Sequence, residues 1–151
     1  MCGIAGRFNF ASGRPVDEPT LAAMCRLIAH RGPDGQGVWT DGPIGFGHRR
    51  LSIIDLSTAG TQPMSTPDGR LTVTFNGEIY NFEALREALE RRGHHFVSRS
   101  DTEVILHAYD AYGVDCLQHL DGMFAFALWD ARERTLFAAR DRAGKKPFYY
   151  R

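Results

Sequence analysis

The segment Met123-Phe124-Ala125-Phe126-Ala127-Leu128-Trp129 constrains the fold more than any other, because it is apolar at every position rather than at alternate ones. Side chains of a strand point to opposite faces in turn, so a strand of this kind must be covered on both sides. The turn Arg132-Glu133-Arg134 follows it, and Leu136 to Ala139 returns as a pairing partner. Further hairpin signals lie upstream. Asp41-Gly42 separates Val38-Trp39-Thr40 from Ile44-Gly45-Phe46, and Pro67-Asp68-Gly69 turns the chain into a strand Leu71-Thr72-Val73-Thr74-Phe75. Antiparallel pairing and burial on both faces are met together by two stacked sheets with helices outside, an α+β layered sandwich.

The rest of the chain supplies the outer layers. An apolar opening from Gly3 to Phe10 predicts a strand, broken by Ser12-Gly13-Arg14-Pro15. Leu21, Met24, Leu27 and Ile28 recur at helical spacing, which predicts an amphipathic helix near residues 18 to 30 before Gly32-Pro33. Thr58 to Thr66 is expected as loop. Leu85 and Leu89 among Glu83, Arg86, Glu87, Glu90 and Arg91 predict a surface helix that stops at Gly93. Ser100-Asp101-Thr102-Glu103 has the form of a capping box before Val104 and Ile105, and places Asp101 at the exposed start of a third helix. No repeat or linker divides the chain, so residues 1–151 are expected to form one domain. With 43% hydrophobic residues, its core needs no disulfide or metal to hold it.

Several function classes are disfavoured. The 18 basic and 18 acidic side chains balance, which removes the electrostatic footprint of a nucleic-acid binder. The basic stretch from Arg132 to Arg151 is expected as a solvated sheet edge. Cys2, Cys25 and Cys116 are odd in number and lack zinc-like spacing, which points to a reducing, cytoplasmic setting and to Cys116 as a buried thiol. No run of 18 apolar residues and no leader pattern occurs, so neither membrane insertion nor export is expected. Gly144-Lys145 lacks the flanking residues of a phosphate loop, and His94-His95 is expected in a turn; no metal site is expected.

Three groups of residues could carry chemistry. Removal of Met1 would leave Cys2 with a thiol and a free α-amine on one residue, and such an amine can activate its own side chain. The alternative is a small apolar residue entering a strand. Asn76-Gly77, at the end of the strand closing at Phe75, could offer an amide and a backbone N–H as a two-donor oxyanion hole; the alternative is an Asn-Gly turn with Asn81 capping the next helix. Arg50 could fork onto a carboxylate and Asp101 could hold an ammonium, together gripping the backbone end of a free amino acid, although surface ion pairs would use the same residues.

These pieces, in order, resemble the glutaminase domain of asparagine synthetases, a class II glutamine amidotransferase of the N-terminal nucleophile hydrolase superfamily. The resemblance rests on Met1-Cys2-Gly3-Ile4-Ala5-Gly6, His30-Arg31-Gly32-Pro33-Asp34-Gly35, His48-Arg49-Arg50-Leu51-Ser52-Ile53-Ile54-Asp55 and Gln62-Pro63-Met64. It continues through Asn76-Gly77-Glu78-Ile79-Tyr80-Asn81, Ser100-Asp101-Thr102-Glu103, Gly122 to Ala127 and Arg140-Asp141-Arg142. It implies a four-layer αββα sandwich of two mainly antiparallel sheets. It also implies that Cys2 attacks the side-chain amide of L-glutamine, giving a glutamyl thioester and ammonia, with Asn76 and the Gly77 N–H on the oxyanion. Arg50 would hold the α-carboxylate, Asp101 with Glu78 the α-ammonium, and Leu51 and Ile53 the pocket wall.

The resemblance further implies an ammonia-accepting synthetase domain or subunit as partner, which alone would need ATP and Mg; no cofactor is expected in residues 1–151, and a homodimer is an open alternative. The stretch Gly144 to Tyr150 resembles an interior strand of the family domain, so the domain is expected to be cut short after Arg151. An amidotransferase with another acceptor, such as a surface sugar or a natural product, and a non-catalytic glutamine-binding module stand as alternatives.

Overall fold

A computed structural model describes residues 1–55 and 57–151. Strands β1 (Gly3–Phe8), β2 (Gly35–Asp41) and β3 (Ile44–Arg50) form one antiparallel sheet in the order β1-β3-β2. Strands β4 (Met64–Ser65), β5 (Leu71–Ile79), β6 (Gly122–Asp130) and β7 (Thr135–Arg140) form a second, in the order β4-β5-β6-β7. Helix α1 (Glu18–Leu27) lies on the first sheet, while α2 (Phe82–Glu90) and α3 (Asp101–Tyr112) cover the second. The sheets meet through β1 and β3 against β5, giving four layers, helix, sheet, sheet and helices.

Strand β6 is buried on both faces, as its composition requires. Phe124, Phe126 and Leu128 join the core under α2 and α3, while Ala127 and Trp129 pack with Ile44 and Phe46 of β3 between the sheets. Each large side chain buried here contributes roughly 1.5–3 kcal/mol relative to exposure. The Trp129 indole N–H also donates to Asp41 at 3.0 Å, joining the two sheets across the outer end of β2. Helix α1 approaches β3 closely because Gly47 has no side chain: a Cβ there would stand 2.4 Å from the Cys25 sulfur.

Several local expectations change. The first strand ends at Phe8, and Phe10 is 80% exposed, because the Asn9 N–H turns to the Pro43 carbonyl. The first helix ends at Leu27 and continues as a 3₁₀ turn, Ala29–Arg31. The loop from Thr58 to Thr66 contains a 3₁₀ turn, Thr58–Gly60, and β4. Strand β5 runs on to Ile79, so Asn76-Gly77 is not a turn, and Asn81 makes no side-chain cap; its amide instead joins His119 and Asp121.

The Gly144 to Tyr150 stretch forms no strand: it has no ladder partner, and Tyr149 and Tyr150 are over nine-tenths exposed. Cys116 is fully buried, and burial pushes its thiol up to about 12. No helix among the described residues is long and apolar enough to cross a membrane.

Candidate active site

Strand pairing brings the N-terminus to the middle of the molecule. Gly3 pairs with Arg49, so Cys2 stands where β3 releases the chain at Leu51. The Leu51 N–H donates to the Cys2 sulfur at 3.4 Å and the thiol faces the Leu51 carbonyl at 3.6 Å. From the 3₁₀ turn after α1, the Arg31 Nε donates to the Cys2 carbonyl at 3.0 Å. Asp34 receives the Ser52 N–H at 2.8 Å and its own N–H reaches the Arg50 carbonyl, which holds the strand exit in place. The half-buried thiol is thus fixed by two segments distant in sequence.

The opposite wall is the free edge of β5. Beyond Met64–Ser65 no strand among the described residues covers this edge, and backbone N–H groups on one side of a strand recur every second residue. Three of them, at Phe75, Gly77 and Ile79, point away from β6. The Gln62 Oε1 accepts from Phe75 at 2.7 Å, and the Asp101 Oδ2 accepts from Ile79 at 2.9 Å. Between them the Gly77 N–H has no partner among the described residues. Its register mate Phe124 directs both backbone groups to Asp141, away from β5, which confirms that the Gly77–Phe124 pair exchanges no ladder bonds.

Glycine is required at this point, since a Cβ would lie 2.2 Å from the Met123 carbonyl oxygen. Asn76, one residue earlier, faces the gap between the sheets, 3% exposed and with an unpartnered carboxamide oxygen. Only donors can receive a developing oxyanion, here the open Gly77 N–H and the Asn76 Nδ2, which hydrogen-bonds none of the described residues.

The cleft between these walls spans about 620 Å³ counted to its open mouth and brings together Cys2, Arg50, Leu51, Ile53, Asn76, Gly77, Glu78 and Asp101. Ile53 lies on the rim, 67% exposed. The Arg50 guanidinium donates to the Ser57 carbonyl at 2.9 Å and to the Asp55 carbonyl, leaving N–H groups for a ligand. Asp55 fastens that loop by accepting from Ser57 and from the Arg99 N–H. The surface ion-pair alternative fails for Asp101. Rather than sitting exposed at a helix start, it is 5% exposed, and burial, reinforced by Glu78, raises its carboxyl to about 6 despite the Ile79 N–H.

The expected capping box is also incomplete. Ser100 caps Thr102 at 3.2 Å, but Glu103 turns away from the Ser100 N–H toward Val97 and Ser98.

Like Asp55, three further contributors carried no assigned role in the sequence. Gln62 ties the β5 edge to α3, its Nε2 donating to Thr102 at 3.0 Å. His48 is fully buried between the sheets, paired through Nε2 with the Phe75 carbonyl at 3.1 Å, and burial lowers it to about 4. Lys146 belongs to the basic stretch expected as a solvated edge, yet it is 3% exposed and lines the cleft. Only their position in motifs signalled the first two; nothing local signalled Lys146.

Known proteins resemble this chain along its whole length. Residues 1–151 match the family model of the glutamine amidotransferase domain. The chain is 47% identical over 152 residues to asparagine synthetase [glutamine-hydrolyzing] 3 of Bacillus subtilis, covering 99% of this chain and 25% of that protein. It is 47% identical over 162 residues to amidase chyE of Penicillium rubens, covering 99% and 24%. The chain therefore spans about a quarter of the length of these relatives. Among solved structures, a glutamine phosphoribosylpyrophosphate amidotransferase from B. subtilis superposes with a TM-score of 0.72 at 22% identity, over 93% of this chain and 37% of that one. That likeness shows the fold, a two-sheet α+β sandwich.

Proposed function

The chain belongs to the glutamine amidotransferase domain family, and from that premise we propose that it releases ammonia from L-glutamine through a thioester on Cys2, as the ammonia-supplying part of an asparagine synthetase. The observation that carries the reading is the Gly77 N–H, left open between two claimed neighbours on the β5 edge and facing the cleft that holds Cys2. The relatives named asparagine synthetase support the choice of acceptor.

In this reading Met1 is removed and the Cys2 α-amine takes the thiol proton. The sulfur attacks the carboxamide carbon, and the oxyanion is held by the Gly77 N–H and the Asn76 amide. Ammonia leaves with the proton, a glutamyl thioester remains, and water releases glutamate. Arg50 forks onto the α-carboxylate, Asp101 and Glu78 receive the α-ammonium, and Leu51 and Ile53 line the side-chain path. The partner is an ammonia-accepting synthetase domain. ATP and magnesium act on that acceptor side, and no step here is routed through them. The reaction belongs in the cytoplasm, where thiols stay reduced.

A diazoketone analogue of glutamine tests the reading on the protein that carries this chain. Intact and peptide mass spectrometry are expected to show loss of Met1 and one label on Cys2, and Cys2→Ala is expected to abolish glutamate release. Retention of Met1 in active protein, or labelling of Cys25 or Cys116 instead, overturns it.

A further inference from the structure

Lys146 is the one basic side chain of the carboxyl-terminal stretch that turns inward. Asp141 causes this. Its carboxylate accepts the N–H groups of Phe124 at 3.1 Å, Lys145 at 2.9 Å and Lys146 at 3.0 Å, so residues 141–146 wrap around it and return the chain against β6. Lys146 then reaches the cleft wall beside Met123, Met1 and Cys2. Its ammonium donates to the thioether of Met1, and no carboxylate pairs with it among the described residues. A thioether is a weak acceptor, and an ammonium buried without a counter-charge is costly, so packing alone does not account for lysine here.

We propose that Lys146 is an electrostatic positioning residue for the nucleophile: its buried ammonium, beside the terminus that opens when Met1 is removed, favours the neutral α-amine and the thiolate of Cys2. The inference rests on the nucleophile reading above. The contact with Met1 sets the distance scale, because a methionine sulfur lies five bonds from the nitrogen of the next residue, within roughly 6 Å. A positive charge at about 7 Å in a partly buried site shifts a neighbouring titration by on the order of one unit. An amine lowered by that amount from its ordinary 7.7–8.0 is about half to two thirds neutral at pH 7, so it can accept the thiol proton without a histidine.

Other charged groups also face the terminus, Arg31 in direct contact with it. Arg31 touches the Cys2 carbonyl from the 3₁₀ turn, Arg50 and Asp55 come from β3 and the loop after it, Glu78 from β5 and Asp101 from α3. Asp141 packs against the same wall, but its carboxylate is taken up by backbone N–H groups.

Alkylation of Cys2 by iodoacetamide, a neutral probe that needs neither Arg50 nor Asp101, isolates the effect; sulfur gains the acetamide group and iodide leaves. The rate at Cys2, read by peptide mass spectrometry between pH 5 and 10, is expected to show its midpoint raised by about one unit in Lys146→Met, with about a tenfold loss of rate at pH 6.5, and near-complete return in Lys146→Arg. Melting temperature is expected to hold or rise in Lys146→Met, since an unpaired buried charge is replaced by an apolar chain of similar length.

A profile unchanged in Lys146→Met overturns the proposal, as does equal loss in the Met and Arg variants. Should Lys146→Met fail to fold, a buried lysine needed for structure is shown and the proposal falls, provided that Lys146→Gln fails too; a folded Lys146→Gln is held to the same midpoint shift. Wild-type protein that keeps Met1 sinks the nucleophile reading itself, a separate outcome.

Discussion

Two carboxylates on the first turn of α3, Asp101 and Glu103, are buried alike, at 5% and 4% exposure, and titrate in opposite directions. Burial raises both. For Asp101 it prevails: only the Ile79 N–H makes a hydrogen bond to the carboxylate, with lesser help from the Asp101 and Thr102 N–H groups, while Glu78 adds repulsion, so the carboxyl rises to about 6. For Glu103 burial is outweighed by His107, by the Ser98 hydroxyl and by the Val97 and Ser98 N–H groups, which together hold it at about 2. Burial therefore does not separate structural from functional carboxylates; the number of donors does. Glu103 is satisfied within the fold, whereas Asp101 keeps acceptor capacity directed at a cleft, as a group awaiting a cation does.

The comparison can be broken by exchanging each carboxylate for its amide. The largest effect is expected at Asp101: Asp101→Asn lowers kcat/KM for glutamine hydrolysis by about a hundredfold, mostly through KM, while the melting temperature at pH 7 stays level or rises. Steady-state kinetics beside a thermal melt checks both halves, and a large loss of stability would return Asp101 to a structural role. Glu103→Gln is expected to do the reverse, destabilising by about 2–3 kcal/mol with activity per folded molecule nearly unchanged. Denaturant titration with an active-site count decides it.

A smaller effect sharpens the contrast. A carboxyl raised to about 6 is half protonated near that pH, and a bound α-ammonium favours its charged form. Glutamine binding to the Cys2→Ala protein is expected to release about half a proton at pH 6 and almost none at pH 8, measured by calorimetry in buffers of different ionisation enthalpy. The pH dependence of folding has opposite signs at the two sites. Glu103 adds stability above its ordinary 4.5 that is lost as pH falls toward 2. Asp101 without ligand weakens the fold as pH rises from its ordinary 3.8 through about 6.

The same distinction explains what could be read along the chain. The layered architecture follows from β6, whose uninterrupted apolar run admits no solvent face. The hairpins β2–β3 and β6–β7 follow from turn residues a few positions apart. Strand β5 was harder to read. Leu71-Thr72-Val73-Thr74-Phe75 alternates as a half-solvated strand does, yet Thr72 and Thr74 are 1% exposed, because the first sheet covers their face and the Gly47 carbonyl accepts from Thr74. That cover also lets the strand continue through Asn76-Gly77, a pair that by itself favours a turn.

The eight residues of the candidate site were all named from the sequence and line one cleft, Ile53 at its exposed rim. Their supports, Gln62, His48, Asp55 and Lys146, were not distinguished from their neighbours. Backbone periodicity, turn chemistry and a thiol at position 2 are local properties, and the amino-acid order alone determines them. Which N–H on the β5 edge stays open, and which of two adjacent carboxylates stays unsatisfied, depends on partners 13, 22 and 49 residues apart in the pairs Gln62–Phe75, Ile79–Asp101 and Cys2–Leu51. Only the tertiary structure decides those, because desolvation and hydrogen-bond count belong to the assembled surroundings and not to the segment that carries the residue.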